Sequence, residues 1–335
     1  MVLMGGVSPE HEVSLKSGAR VVAALEEEQF AVVPVVIGKD ARWSFGAEPS
    51  MGVFDALPRI QALGVDCVFI ALHGPYGEDG RIQGMLDVLQ VPYTGSGCAA
   101  SALAMDKVLT KAVVASQGIR VAGHIAIDRA TWAVSADQAL DAVCKDIGLP
   151  CVVKPSRLGS SVGVEMPKTA QALRPAVEAV LAVTDHIMIE EFLTGREMTC
   201  AVLDAEASGI VRPLPITEIR PKSSTFFDYE AKYTPGASEE ITPARIDAQT
   251  TQVIQQMAAD VHQIVGCAGW SRSDFMLLDD GPVFIEVNTV PGLTETSLFP
   301  QAAAAAGIPY AKLMRMFVEA ALRRKLHGAT ESTAP

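Results

Sequence analysis

Short apolar runs alternate with stretches of helical period along the first hundred residues. Val2-Leu3-Met4 reads as a buried strand ending in Gly5-Gly6, and 14–27 repeats its apolar positions at helical spacing. Residues 32–37 form a second, β-branched strand and 65–72 a third. Such alternation predicts an open parallel α/β sheet with ligands at the carboxyl ends of its strands. Loops carrying Gly5-Gly6 and His73-Gly74-Pro75-Tyr76-Gly77-Glu78-Asp79-Gly80 follow two of those strands, where chemistry is expected. Residues 101–117 read as one helix.

Beyond Gly123 the pattern becomes that of a small α+β unit. Strands are expected at 125–127, 151–154, 162–164 and 187–190, with helices over 136–147 and 170–183. A last unit carries strands at 199–203, 272–278 and 283–287, and an amphipathic helix over 309–326. The stretch 212–243 is rich in Pro, Ser and Thr, with little periodicity, and reads as a functional lid. The expected organisation is therefore an N-terminal α/β domain over 1–104, a small subdomain over 105–190, a C-terminal subdomain over 191–328 and a tail over 329–335.

Composition narrows the function. Hydrophobic residues make up 49% and charged residues 20% of the 335, as in a folded protein. The net charge of -12 argues against nucleic acid as a partner. The six cysteines form no CxxC pair and lie mostly in apolar runs, which argues against a zinc framework and points to free thiols. The start has neither a basic region nor a long apolar one, so a cytoplasmic protein without a signal peptide is expected. No run approaches the length of a membrane span.

Two motifs mislead. Gly159-Ser160-Ser161-Val162-Gly163 fits the GxSxG elbow of hydrolases, but Val164-Glu165-Met166-Pro167 cannot supply the helix that must follow. Gly95-Ser96-Gly97-Cys98-Ala99-Ala100 fits a dinucleotide fingerprint, yet the acid expected about 20 residues on is missing.

Three other stretches carry chemistry. Lys154 ends a strand and opens a flexible loop, Pro155 to Ser161, whose amides can cradle phosphates while the lysine supplies charge. Ile187-Met188-Ile189-Glu190-Glu191-Phe192-Leu193 ends an apolar strand in two acids and suits an adenosine slot, with Glu197 beginning the next strand. Trp270 to Asn288 is the strongest signal. Glu286 and Asn288, two apart in a strand, share a face, and Arg272 and Asp274 lie across a short turn. Carboxylate and amide oxygens together suit magnesium. A three-residue loop, Asp279-Asp280-Gly281, is expected, because it sets Asp274 opposite Glu286 without a bulge.

Together these stretches resemble the D-alanine–D-alanine ligase family of ATP-grasp enzymes, nearly end to end. The resemblance is carried by Gly5-Gly6 with Glu10-His11-Glu12-Val13-Ser14, the His73 to Gly80 loop, Met105-Asp106-Lys107, the Lys154 to Gly163 loop, Phe227-Asp228-Tyr229-Glu230-Ala231-Lys232-Tyr233, and Gly269 to Ser297. It implies an N-terminal open-sheet domain followed by a two-part ATP-grasp unit, and ligation of two D-alanines through a D-alanyl phosphate for peptidoglycan synthesis. ATP would be held by Lys107, Lys154, Glu190, Glu191, Phe192, Leu193 and Glu197, with Lys232 reaching in from the lid. Asp274, Glu286 and Asn288 would ligate two magnesium or manganese ions. Glu12, Ser160 and Tyr233 would form a hydrogen-bonded set around the first D-alanine, with Glu12 on its ammonium and His73 nearby. Arg272 and the N–H of Gly292 would stabilise the oxyanion, and Ser297 with Leu298 would seat the second carboxylate. A homodimer is expected on the same ground. The competing readings are a ligase joining D-alanine to D-lactate, which Tyr233 opposes, and a non-catalytic nucleotide-binding regulator.

Overall fold

The computed structural model describes residues 1–159, 163–206, 208–221 and 238–331, and three sheets organise them. In the first, β1 (Val2–Gly5) lies between β2 (Pro34–Ile37) and β4 (Phe69–Ile70), parallel to both. β3 (Trp43–Phe45) adds an antiparallel edge beside β2, so the expected parallel sheet is mixed at one side. The third expected strand is shorter than its apolar run, with Val68 bridging to Tyr93 instead. Helix α1 (His11–Glu27) follows β1, and α2 (Val53–Leu63) and α3 (Arg81–Val88) complete this layer.

The helix expected over 101–117 is two: α4 (Cys98–Met105) and α5 (Lys107–Ser116). Asp106 divides them, because its extended backbone ends the first and its carboxylate accepts from Val108 and Leu109 N–H to cap the second.

In the middle unit β5 (His124–Asp128), β6 (Cys151–Pro155) and β7 (His186–Glu191) form an antiparallel sheet with β7 at its centre. Helix α6 (Arg129–Ala142), which runs on to Ile147 as a π-turn, and α7 (Ala170–Leu181) cover it around Val153, Val177 and Ile189.

The largest sheet is built on β8 (Arg196–Asp204), flanked by β9 (Arg212–Pro213), β10 (Thr217–Pro221), β11 (Ser238–Ile241), β12 (Gly269–Leu278) and β13 (Gly281–Asn288). Its order is β11-β10-β8-β12-β13, with β9 also on β8. Both described ends of the expected lid are therefore strands, paired through Glu218 with Ile241 and Pro221 with Ser238. Backbone pairing, to which side-chain periodicity is blind, makes them so.

One face of this sheet buries Met198, Cys200, Phe275 and Phe284 under α8 (Ala248–Val265), together with Ala104 and Val114 of α4 and α5. The other face joins the N-terminal sheet in a shared core: Leu203 and Trp270 meet Met4, Phe69 and Phe317. Phe299 and Phe317 reach that core from α9 (Leu298–Ala305) and α10 (Tyr310–Glu331), the latter extending past the expected helix end. Among the described residues no helix is long and apolar enough to cross a membrane.

Candidate active site

Along β12 the face that begins in the core ends in a cleft. Trp270 is fully buried, and Arg272 and Asp274, two and four residues on, share its face. Across the turn, Asp274 pairs with Glu286 and Arg272 with Asn288, so all four groups gather on one side. The opposition is as expected, but the loop that produces it is not. Leu278 pairs with Gly281, leaving a two-residue Asp279-Asp280 turn, and the register then shifts between Asp274 and Phe275. Ile285 is the extra residue of this bulge. Without it Phe284 and Glu286, two apart, would share a face. With it Phe284 meets Phe275 edge-on at 6.0 Å in the core while Glu286 turns to the cleft.

Asp274 is densely held. Arg272 donates to both its oxygens at 2.9 and 2.8 Å, Thr199 to Oδ1 at 2.6 Å, and Asn288 to Oδ2 at 3.3 Å. Glu286 lies 3.3 Å from Lys107 Nζ, which also donates to Leu158 O at 2.8 Å. Lys107, Gly159, Glu286 and Asn288 line one cleft with Glu78 and Thr289. Backbone joins its walls, for Lys107 N–H donates to Ser156 O at 2.9 Å.

Two buried lysines meet one buried acid beside this cleft. Glu190, at the end of β7, pairs with Lys154 from the end of β6 and with Lys111 from α5 at 2.8 Å. Burial pushes the Glu190 carboxyl up, but the charges of Lys154 and Lys111 win and hold it at about 2. Glu191 points away, its Oε2 accepting from Gly123 N–H at 3.1 Å. Phe192 and Leu193, half-buried, link β7 to β8. Glu197 on β8 pairs with Met276, two residues past Asp274, and so shares the face of the Asp274 cluster.

On the N-terminal side His73 is buried between Ser17 Oγ at 3.0 Å and Glu78 at 3.3 Å. Burial pulls the imidazole down, yet the hydrogen bond and charge of Glu78, with Glu10 and the Val290 carbonyl, raise its pKa overall. Glu10 is the acid set beside this pair. A Cβ on Gly74 would lie 2.6 Å from Glu10 Oε2, and one on Gly159 3.5 Å from it, so this carboxylate sits where the two loops meet. Glu12, on which the family resemblance places the substrate ammonium, is instead 69% exposed and paired with Lys39 at 3.3 Å. The helix begins at His11, so the two acids leave its first turn in different directions.

Gly292 and Ser297 are adjacent: a Cβ on Gly292 would come within 2.7 Å of Ser297 Oγ. That hydroxyl accepts from Thr294 N–H at 3.0 Å, at the cap of α9, where Leu298 begins the helix. Ser160, Tyr233 and Lys232 lie outside the described residues.

The sequence reading gave no role to Glu10, Glu78, Thr199 or Lys111. Lys111 had a signal, because it recurs four residues after Lys107 on the buried side of an otherwise apolar helix.

The chain matches two family models, the D-ala D-ala ligase N-terminus over residues 1–96 and the D-ala D-ala ligase C-terminus over 113–319. It belongs to the D-alanine–D-alanine ligase family. The D-alanine–D-alanine ligase of Geobacter sulfurreducens is 39% identical over 332 residues, 98% of this chain and 96% of that one. That of Halalkalibacterium halodurans is 40% identical, over 96% of this chain and 99% of its own. The structure of the Bacillus anthracis D-alanine–D-alanine ligase complexed with ATP superposes with a TM-score of 0.78 at 30% identity, covering 98% of both chains.

Proposed function

We propose that this cleft joins two D-alanine molecules into D-alanyl-D-alanine at the expense of ATP, through a D-alanyl phosphate. The observation that carries the reading is the single face holding Arg272, Asp274, Glu286 and Asn288 beside Lys107, within a family member of nearly full length. A carboxylate is a poor electrophile, so its oxygen first attacks the γ-phosphorus of ATP and ADP departs. The amine of the second D-alanine then adds to the activated carbonyl, building an oxyanion, and phosphate leaves as the amine loses its proton.

Lys107 and Lys154 hold the phosphates, and Glu190, Glu191, Phe192, Leu193 and Glu197 frame the adenosine; for Glu191 the backbone is the better contact, since its carboxylate is turned to Gly123. On this reading Lys232 serves the phosphates, and Ser160 and Tyr233 join Glu10, in place of Glu12, around the first D-alanine. Asp274, Glu286 and Asn288 would hold magnesium or manganese, two ions with the nucleotide. Among the described residues no three His, Cys, Asp or Glu side chains form a metal cluster, yet two carboxylates and one amide on one face suit a hard cation whose other ligands are phosphate oxygens. Bound there, the cations neutralise crowded phosphate charge. Arg272 and Gly292 N–H face the oxyanion, while Ser297 and Leu298 offer a helix N-terminus to the second carboxylate. The ammonium of the first D-alanine goes to Glu10 rather than Glu12, beside His73. Assembly as a homodimer accompanies this reading and is checked by light scattering.

A phosphate-release assay with ATP and D-alanine, with D-lactate as competitor, tests the reaction. Phosphate and dipeptide should form in equal amounts, with D-lactate left unincorporated. No phosphate release would make the chain a regulator, and incorporation of D-lactate would make it a depsipeptide ligase.

A further inference from the structure

Lys111 has no place in the chemistry above, yet it is the most deeply buried lysine described. Its side chain is 0% exposed, on a helix whose other inward positions are Thr110 and Val114. A lysine in such a setting carries a large desolvation cost unless a charge holds it. That charge is Glu190. One carboxylate oxygen meets Lys111 Nζ at 2.8 Å and the other meets Lys154. Burial accordingly pulls the Lys111 ammonium below its usual pKa, while Glu190 pulls it back up and Lys154 pushes it down.

The two cations differ in what lies beyond them. Lys154 sits at the end of β6, where the glycine loop opens, whereas Lys111 is enclosed by α5 and its neighbours. The helix is itself anchored to that loop, through Lys107 N–H on Ser156 O at 2.9 Å and Arg157 on the capping Asp106 at 2.7 Å. Lys107 and Lys111, one turn apart, thus reach Glu286 and Glu190 from a single helix face.

We propose that Lys111 is a positioning residue that occupies one oxygen of Glu190, so that Lys154 shares only the other and keeps its remaining N–H donors for the ATP phosphates. The three groups then present a net positive charge to the nucleotide. Without Lys111 they form a neutral pair, in which Lys154 is drawn onto both oxygens of Glu190. The inference rests on the ATP reading of this cleft.

The test is Lys111→Met, which keeps an unbranched side chain, one atom shorter, and removes its charge. The ATP KM should rise about tenfold or more, while kcat and the D-alanine KM move less than about threefold, because only a charge-assisted nucleotide contact is weakened. An ATP KM within about twofold of the parent would overturn the proposal. Should that variant not fold, Lys111→Met is placed on Glu190→Gln, where no acid is left with a single partner, and compared with Glu190→Gln alone. If Lys111 acts through Glu190, the two share an ATP KM within about twofold. A further loss of more than about threefold would mean an independent role and overturn it equally. A parent without ATP-dependent phosphate release would remove the reading of the site and this inference with it; an ATP-dependent parent whose Met variant is unchanged removes the inference alone.

Discussion

Glu10 and Glu12 are two residues apart, and their surroundings differ in every respect that matters for binding an amine. Glu10 lies where the Gly74 and Gly159 loops converge, close enough to His73 and Glu78 to raise both their pKa values. Glu12 faces solvent, screened and paired with Lys39. Glu10→Gln should therefore raise the D-alanine KM about tenfold or more, the loss expected when a charge-assisted contact to substrate becomes a neutral one. Glu12→Gln should leave it within about twofold, as exposed ion pairs contribute little. Phosphate release against D-alanine concentration separates the two, and the opposite pattern returns the ammonium to Glu12. At Glu286 the issue is charge in the reaction itself. Glu286→Gln should leave less than about a tenth of parental turnover with the fold intact, because the carboxylate that would hold the phosphate-neutralising cation is lost. Activity above that level, with an unchanged circular dichroism spectrum, would remove the metal role.

Among the elements, β10 shows how the described lid border is held. Glu218 is 1% exposed and receives Arg196 from β8 at 2.9 and 2.7 Å and Arg220 at 2.8 Å. The hydrogen bond from Arg196 is the largest influence and, with Arg220, holds the carboxyl at about 2, below its ordinary 4.5. A depressed carboxyl stabilises the fold fully above its unfolded pKa and loses that contribution as pH falls through the folded one. Glu218→Gln should thus cost about 2 kcal/mol at neutral pH, the scale of a hydrogen bond to a charged group. In urea unfolding, the gap between parent and variant should hold steady above pH 5 and close as pH falls from about 4.5 to about 2. A gap that widens on acidification would contradict the assignment. The β12–β13 hairpin carries a different lesson. A three-residue loop is expected from the sequence because it sets Asp274 opposite Glu286 without a bulge, whereas the chain reaches the same opposition with a shorter turn and an inserted Ile285. The insertion serves core and cleft together, since it sends Phe284 one way and Glu286 the other.

At the scale of the molecule, the N-terminal and C-terminal sheets share a core. Trp270 of β12 stacks on Phe69 of β4 at 5.9 Å and lies 3.8 Å from the Phe317 ring on α10. Trp270→Ala should cost about 3–5 kcal/mol, the usual loss for a buried aromatic truncated in a packed core. Because that core spans both sheets, the two should melt in one transition before and after the change. A first transition confined to the N-terminal residues would show that they fold apart. The same interface positions chemistry: Glu10, His73 and Glu78 come from the first sheet's loops, and Asp274, four residues along β12 from the buried Trp270, comes from the last sheet with its partner Glu286.

What the sequence determined by itself was local. Apolar periods of two and of about 3.6 marked most strands and helices, since alternation follows from which face is buried. Asp274, Glu286 and Asn288 stood out because charged and amide groups inside apolar strands demand partners. The resemblance placed Lys107, Lys154 and Arg272 by their ordered blocks. The rest waited on how the elements pack. The edge strand β3 and the lid borders β10 and β11 depend on backbone pairing, which leaves little trace in side-chain order. Ile285 reads as one more apolar strand residue until two strands are aligned. Glu10 and Glu12 are the same side chain, and where the helix begins chooses between them. Lys111 and Glu190, distant in sequence, become one buried pair only when α5 packs beside the end of β7, because burial and proximity are properties of the folded chain.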